Sequence, residues 1–228
     1  MGSVSVGPDG SGGPHAFVAD VEHPMLEAHD EAHLRKSLRM RDGDSFTVAD
    51  GRGRWRPMQL GPTPEPTGDA EFVVQPAPLL VVAFALTKGS KPEFVVQKLT
   101  ELGIDTIVPF VAERSIPRWD HDREAKNLVR MRRVALEAAM QSRQVWLPEV
   151  TAVTTFAEVV QLPGAVRADM GGEALGDQTT VLIGPEGGWS NTERSVLGSI
   201  SLGRHVLRAE TAAVAAGALM GYHRVPGP

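Results

Sequence analysis

The stretch V-L-I-G-P-E-G-G-W-S-N-T-E, from Val181 to Glu193, decides how this chain folds. Thr179 to Ile183 (TTVLI) is a continuous apolar, β-branched run of the kind that forms a strand buried on both faces. It opens into Gly184, Gly187 and Gly188, and then into Ser190 and Glu193, which stand at the spacing of a capping box. A strand end that passes through a glycine-bearing loop into a capped helix is where open α/β sheets bind ligands. Glycine lets a ligand approach the backbone, and the loop's free N–H groups point outward. The loop is not a phosphate cradle: it has neither Walker A spacing nor G-x-G-x-x-G, and Glu186 would repel a phosphate. A ligand with cationic or donor character suits it better, although a tight structural turn uses the same residue types.

Outward from this unit, apolar strands alternate with helices, the signature of an α/β fold with a mostly parallel sheet covered on both faces. Leu79–Leu86 and Ile104–Phe110 read as strands. Between them Pro92–Leu102 reads as a helix with Pro in its first turn, Val95, Leu99 and Leu102 on one face, and Gly103 as its stop. Arg123–Ser142 reads as a long helix packing through Leu128, Met131, Ala135, Ala138 and Ala139. Thr155 and Glu158 repeat the capping-box spacing, and Thr211–Tyr222 reads as the final helix. Upstream of the two prolines in Gln75–Pro78 the rhythm differs: short β-like runs (FVADV, SFTVAD, RWRPMQL, EFVVQ) alternate with turns around one helical stretch, His29–Leu38. The expected organisation is a mobile Gly/Ser/Pro-rich tail over residues 1–14, a small β-barrel over 15–76 and the α/β domain over 77–228.

Composition narrows the chemistry. The 42% hydrophobic content suits a globular chain, and the absence of cysteine removes disulfides, thiolate metal sites and cysteine nucleophiles. No apolar run reaches the roughly 20 residues that span a bilayer, so a soluble, cytoplasmic protein without a membrane partner is expected. The net charge of -5 argues mildly against nucleic acid, with 7 basic and 12 acidic residues up to Gln75 and 16 of each after it. Basic residues still cluster, as Arg35, Lys36, Arg39 and Arg41 and as Arg52, Arg54 and Arg56 around Trp55. His29 and His33 stand one helical turn apart with no third ligand in view, so no metal is expected.

A second turn follows the first in S-L-G-R-H-V-L-R-A-E-T-A-A-V-A-A-G-A-L, Ser201–Leu219, with Arg208, Glu210 and Thr211 at a strand-to-helix junction. GPEGGWSNTE followed by LGRHVLRAETAAVAAGAL resembles the C-terminal region of the knotted SPOUT methyltransferases, and within them the small-subunit (16S) ribosomal RNA uridine-N3 methyltransferase family. Three more stretches resemble that family in order: HLRKSLRMRDGD (33–44), its N-terminal RNA-binding motif; KGSKPEFVVQKLTELGI (88–104) followed by ERS (113–115); and EAAMQSR (137–143). Met140 departs from the acidic residue expected in the last of these.

The resemblance implies a C-terminal trefoil-knot domain behind a PUA-like β-barrel, S-adenosyl-L-methionine as cofactor, 16S rRNA or the small subunit as partner, and a homodimer. Carried over by position, Ile183, Gly184, Glu186 and Gly187 would line one wall of the cofactor pocket, Leu202 and Gly203 a second, and Leu207, Thr211 and Ala212 a third. Arg143 and Arg208 would grip the phosphate or the developing uridine anion, and Glu210 would accept the N3 proton or cap the final helix. His33, Arg35, Arg39 and Arg41 would face RNA, with Arg114 and Gln141 as positioning groups. A related enzyme acting on tRNA or a ribose 2′-hydroxyl, or a non-catalytic RNA-binding or assembly protein, would share much of this sequence.

Overall fold

The computed structural model describes residues 7–116 and 119–224. Of the expected tail, residues 1–6 lie outside the described part, whereas residues 7–14 take a definite course. Asp9 caps a 3-10 turn, Gly10–Gly12, by accepting from the Ser11 N–H at 2.8 Å, and Pro8 is buried. Low sequence complexity hid a capped Asp-Gly-Ser turn.

The chain forms two compact units, Met1–Gln75 with Ala139–Leu147, and Pro76–Ala138 with Pro148–Pro228. In the first, strands β1 (His15–Phe17), β2 (Ser45–Ala49), β3 (Arg54–Gln59), β4 (Glu65–Pro66) and β5 (Glu71–Phe72) make one sheet. β1 runs parallel to β2, while β2, β4 and β5 are antiparallel to β3. The helical stretch is a short α1 (Ala28–Ala32) that widens into a π turn, His33–Ser37. Leu34 from this turn joins Phe46, Val48, Met58 and Leu60 in the core of the unit. The returning segment 139–147 is bound by its backbone: Gly53 N–H donates to Val145 O at 2.9 Å and Leu147 N–H to Gly51 O at 3.0 Å.

The second unit is built on a seven-stranded sheet. Its strands are β6 (Val81–Ala85), β7 (Thr106–Val111), β8 (Glu149–Val150), β9 (Thr154–Thr155), β10 (Ala165–Ala174), β11 (Thr180–Ile183) and β12 (Ser199–Ser201), in the order β12-β10-β11-β6-β7-β8 with β9 also on β7. Every pairing in it is parallel. The helices are α2 (Lys91–Glu101), α3 (His121–Gln141), α4 (Phe156–Val159), α5 (Asn191–Val196) and α6 (Ala209–His223).

Side chains alternate across the sheet because successive strand residues point to opposite faces. Val82, Phe84, Val181 and Ile183 face one layer with Val95 and Leu99 of α2, Met131 of α3 and Ala213 and Ala216 of α6; Ala83, Ala85 and Leu182 face the other with Phe110 and Trp189. Two buried layers explain why these strands read as unbroken apolar runs. α6 comes close to α2 because Gly217 has no side chain: a Cβ there would meet Leu99 Cδ2 at 2.8 Å.

From β6 the chain winds toward β7 and β8, and from β11 it winds the opposite way, toward β12. The C-terminal ends of β6 and β11 therefore flank a topological switch point, where open parallel sheets leave a crevice.

Candidate functional site

The Gly184–Ser190 loop leaves β11 at this switch point, and its shape follows from buried groups. Trp189 is buried, stacks on Phe110 with ring centroids 6.2 Å apart, and donates through Nε1 to Ala168 O at 2.9 Å. Gly184 lies against the indole so closely that a Cβ would fall 2.7 Å from Trp189 Cε2. Ser190 and Glu193 form the capping box that starts α5. Glu193 is buried, with one carboxylate oxygen accepting from Ser190 N–H and the other from Glu113 N–H, each at 2.9 Å. A buried carboxylate is tolerable here because both oxygens have donors and it sits at a helix N-terminus.

This loop walls a cavity of about 550 Å³. Ile183, Gly184, Pro185 and Glu186 supply one side; Leu202, Gly203 and Leu207, from the turn between β12 and α6, supply another; Arg208 and Ala212 continue it into α6. Ala168, Asp169 and Met170 close the third side from the middle of β10. There β10 shifts register against β12 between Ala168 and Glu173, and Gly172 lies so near the β12 backbone that a Cβ would meet Ile200 C at 2.6 Å. Asp169 is fixed by Arg167 at 2.5 Å and Arg194 at 2.7 Å.

Two acids reach across the second unit to one lysine. Lys91, on the cavity wall at the start of α2, is bonded to Glu186 and lies 3.4 Å from Glu210 Oε1. The bond to Glu186 raises the Lys91 pKa above its ordinary value, so it is an ammonium at neutral pH. The other oxygen of Glu210, Oε2, is buried without a hydrogen-bond partner among the described residues.

Residues 75–221 match the RNA methyltransferase domain family. The chain belongs to that family. A relative in Synechocystis sp. named ribosomal RNA small subunit methyltransferase E is 33% identical over 207 residues, covering 79% of this chain and 66% of that protein. The chain thus spans just under two thirds of that relative's length. A protein of the same name in Mycobacterium bovis is 29% identical over 84% of this chain and 83% of its own. The fold is that of the crystal structure of a ribosomal RNA small subunit methyltransferase E from Neisseria gonorrhoeae bound to S-adenosyl methionine: TM-score 0.73 at 24% identity, covering 92% of this chain and 97% of that one.

In this RNA methyltransferase domain, seven of the nine positions expected to hold a cofactor line the cavity, namely Ile183, Gly184, Glu186, Leu202, Gly203, Leu207 and Ala212. Gly187 and Thr211 do not. Gly187 is turned toward Arg114, which donates to Gly187 O and Trp189 O at 3.3 Å each, and Thr211 is exposed. Arg114, expected to position RNA, is therefore occupied in holding the loop. Of the expected catalytic groups, Arg208 lies on the cavity wall and Glu210 stands behind it on Lys91.

Arg143 belongs to the first unit, where it takes a left-handed φ of 55° and donates to Asp9 O at 2.8 Å; Gln141 is exposed in the same segment. His33, Arg35, Arg39 and Arg41 follow α1 in the first unit. Arg35 is committed to Glu31, Asp42 and Gly61 O, while His33, Arg39 and Arg41 are exposed. In the second basic cluster Arg54 and Arg56 share the one carboxylate of Glu22, so the cluster keeps a net positive charge.

The sequence reading missed Lys91, Asp169 and Trp189. For Asp169 a signal existed: A-V-R-A-D-M-G-G (165–172) repeats the apolar-strand-to-glycine transition of the 181–188 loop.

Proposed function

We propose that this chain transfers a methyl group from S-adenosylmethionine to N3 of a uridine in the 16S RNA of the small ribosomal subunit. The observation that carries the reading is the cavity at the switch point, walled by three strand-to-turn segments. Its volume of about 550 Å³ lies within the roughly 300–1,000 Å³ usual for cofactor sites. The residues fit a cationic nucleoside ligand. Gly184 has no side chain where the Trp189 indole packs, and the turns offer backbone groups for reading an adenine. The two carboxylates Glu186 and Glu210 on the one ammonium of Lys91 leave a net negative charge beside the cavity, whereas Asp169 is held between Arg167 and Arg194. Ile183, Gly184 and Glu186, then Leu202, Gly203, Leu207 and Ala212, then Ala168, Asp169 and Met170 are its three walls, and in this reading the chain around them forms a trefoil knot.

When bound, the cofactor supplies an electrophilic methyl group on a sulfonium. Uridine N3 becomes nucleophilic only when its proton is removed, and it must be unpaired and held in line with the methyl group. Glu210 accepts that proton; its partnerless buried oxygen is an acceptor without a donor. The methyl group then bonds to N3 as the sulfonium bond breaks, and a neutral thioether leaves. Arg208, on the cavity wall, stabilises charge on the uracil, and Arg143 of the first unit grips an RNA phosphate. The first unit acts as a PUA-like RNA-binding barrel, with His33, Arg39 and Arg41 toward RNA and Arg35 and Gln141 holding the surface that meets it, while in the second unit Arg114 holds the loop that follows β11. The active form is a homodimer in the cytoplasm.

The test joins calorimetry with S-adenosylhomocysteine to incubation of labelled S-adenosylmethionine with small subunits lacking the modification, followed by mass spectrometry of nucleosides. Binding and new N3-methyluridine are expected, and Glu210→Gln should slow transfer by about 10²- to 10⁴-fold. Label in a ribose or in tRNA alone would overturn the target, and absence of cofactor binding would overturn the activity.

A further inference from the structure

We infer that Lys91 is a positioning residue which fastens the two cofactor turns to each other and holds Glu210 in place for proton transfer. The inference rests on the methyl-transfer reading above. Glu186 belongs to the turn after β11 and Glu210 to the first turn of α6, which follows the turn after β12. No hydrogen bond or ion pair joins these two carboxylates directly; both converge on Lys91, which comes from a third element, the start of α2.

Two carboxylates sharing one ammonium leave that cluster with a single negative charge. Without Lys91 they would face each other as like charges beside a cavity, and the turns that carry them would be driven apart. Lysine suits the task because its three N–H donors radiate from one point and can serve acceptors in different directions.

The consequence for Glu210 is specific. Its side chain is 15% exposed, with Oε1 facing Lys91 and Oε2 buried and without a donor among the described residues. Lys91 thus holds the carboxylate through one oxygen and leaves the other, buried beside it, without a donor. A carboxylate arranged in this way can receive a proton. Had Lys91 or another donor occupied both oxygens, that acceptor site would be closed. Lys91 lies among the cavity-lining residues, so a ligand in the cavity is bounded by the pin itself.

The experiment uses the full chain with Lys91→Met, Lys91→Gln and Lys91→Arg, and Glu210→Gln for comparison. Hydrogen exchange without ligand should rise in both 184–190 and 208–213 in the two uncharged variants and stay near the parent level in Lys91→Arg. At saturating S-adenosylmethionine, the single-turnover rate on unmodified small subunits should fall by about 10-fold or more in Lys91→Met and recover to within about threefold in Lys91→Arg, a charge effect rather than one of stem packing. Lys91→Met and Glu210→Gln combined should be scarcely slower than Glu210→Gln alone, because both act on one proton transfer. Unchanged exchange in both turns, or additive rate losses, would overturn the inference. If the parent transfers no methyl group, the proposed activity fails and the exchange result alone decides the pin.

Discussion

At the residue scale, two side chains show how burial sets chemistry. His15 is buried in the first unit, with Nδ1 2.7 Å from Thr47 Oγ1 and Nε2 3.1 Å from Gln144 O. Burial lowers its pKa from 6.5 to about 4. The folded state therefore favours the neutral ring, while the unfolded chain takes up a proton near pH 6.5. The stability tied to neutral His15 is complete above that pH and drains away as pH falls toward 4, by at most about 3 kcal/mol at roughly 1.4 kcal/mol per pH unit. Urea unfolding at pH 7.5 and 4.5 checks this: the loss on acidification should be smaller in His15→Gln than in the parent, and equal losses would refute it. Gly184 is the second case. Its missing side chain is what admits the Trp189 indole, so Gly184→Ala places a methyl group at 2.7 Å from the ring. Overpacking of this kind costs about 1–3 kcal/mol. Because the loop must shift to relieve it, S-adenosylhomocysteine affinity measured by calorimetry should fall together with the melting temperature.

At the element scale, the site is held open by a helix start rather than by loop residues alone. Glu193 closes the capping box of α5 and also accepts from Glu113 N–H, so one buried carboxylate joins α5 to the chain just after β7. Glu193→Ala strands the Ser190 and Glu113 N–H groups, and a stranded buried donor costs about 1–3 kcal/mol. A loss of about 2–4 kcal/mol in urea unfolding is expected, whereas a change under 1 kcal/mol would show the two bonds to be dispensable. Both capping boxes were legible in the sequence, and so were β6, β7 and β11 as unbroken apolar runs, α2 and α3 by their apolar period, and α6 as a long stretch of small and apolar residues. β10 was not. Asp169, Gly171 and Gly172 interrupt its pattern, and the strand survives because glycine allows the close approach to β12. The three-residue β12 is too short to carry any period. The site was legible where glycines mark backbone approach, and illegible where a single charged residue from another element completes it: nothing near Lys91 in sequence points to Glu186 or Glu210.

At the scale of the whole molecule, the division into units depends on a return of the chain that no local pattern announces. The boundary near Pro76 follows from the prolines, yet Ala139–Leu147, some sixty residues further on, packs in the first unit. That segment answers needs left by residues 1–75. Gly53 N–H would lack its acceptor Val145 O, His15 would lose Gln144 O, and Arg143 would no longer donate to Asp9 O. Trp146 is held by Val73 O at 2.9 Å and lies edge-on to Phe72, and Gly53 has a positive φ of 94° at a place where a Cβ would strike the Trp146 ring at 2.5 Å. A sheet of five short strands with one small core is marginal by itself, since a domain of this size buries only about 60% of its unfolded surface. Residues 1–75 expressed alone should therefore give a disordered circular dichroism spectrum and no cooperative melt. The same residues joined by a flexible Gly-Ser linker to 139–147 should regain a cooperative transition, with Trp146 fluorescence shifted to the blue by burial against Gly53 and Val73. A cooperative melt of 1–75 alone at the temperature of the linked form would mean that the returning segment contributes nothing to the unit it completes.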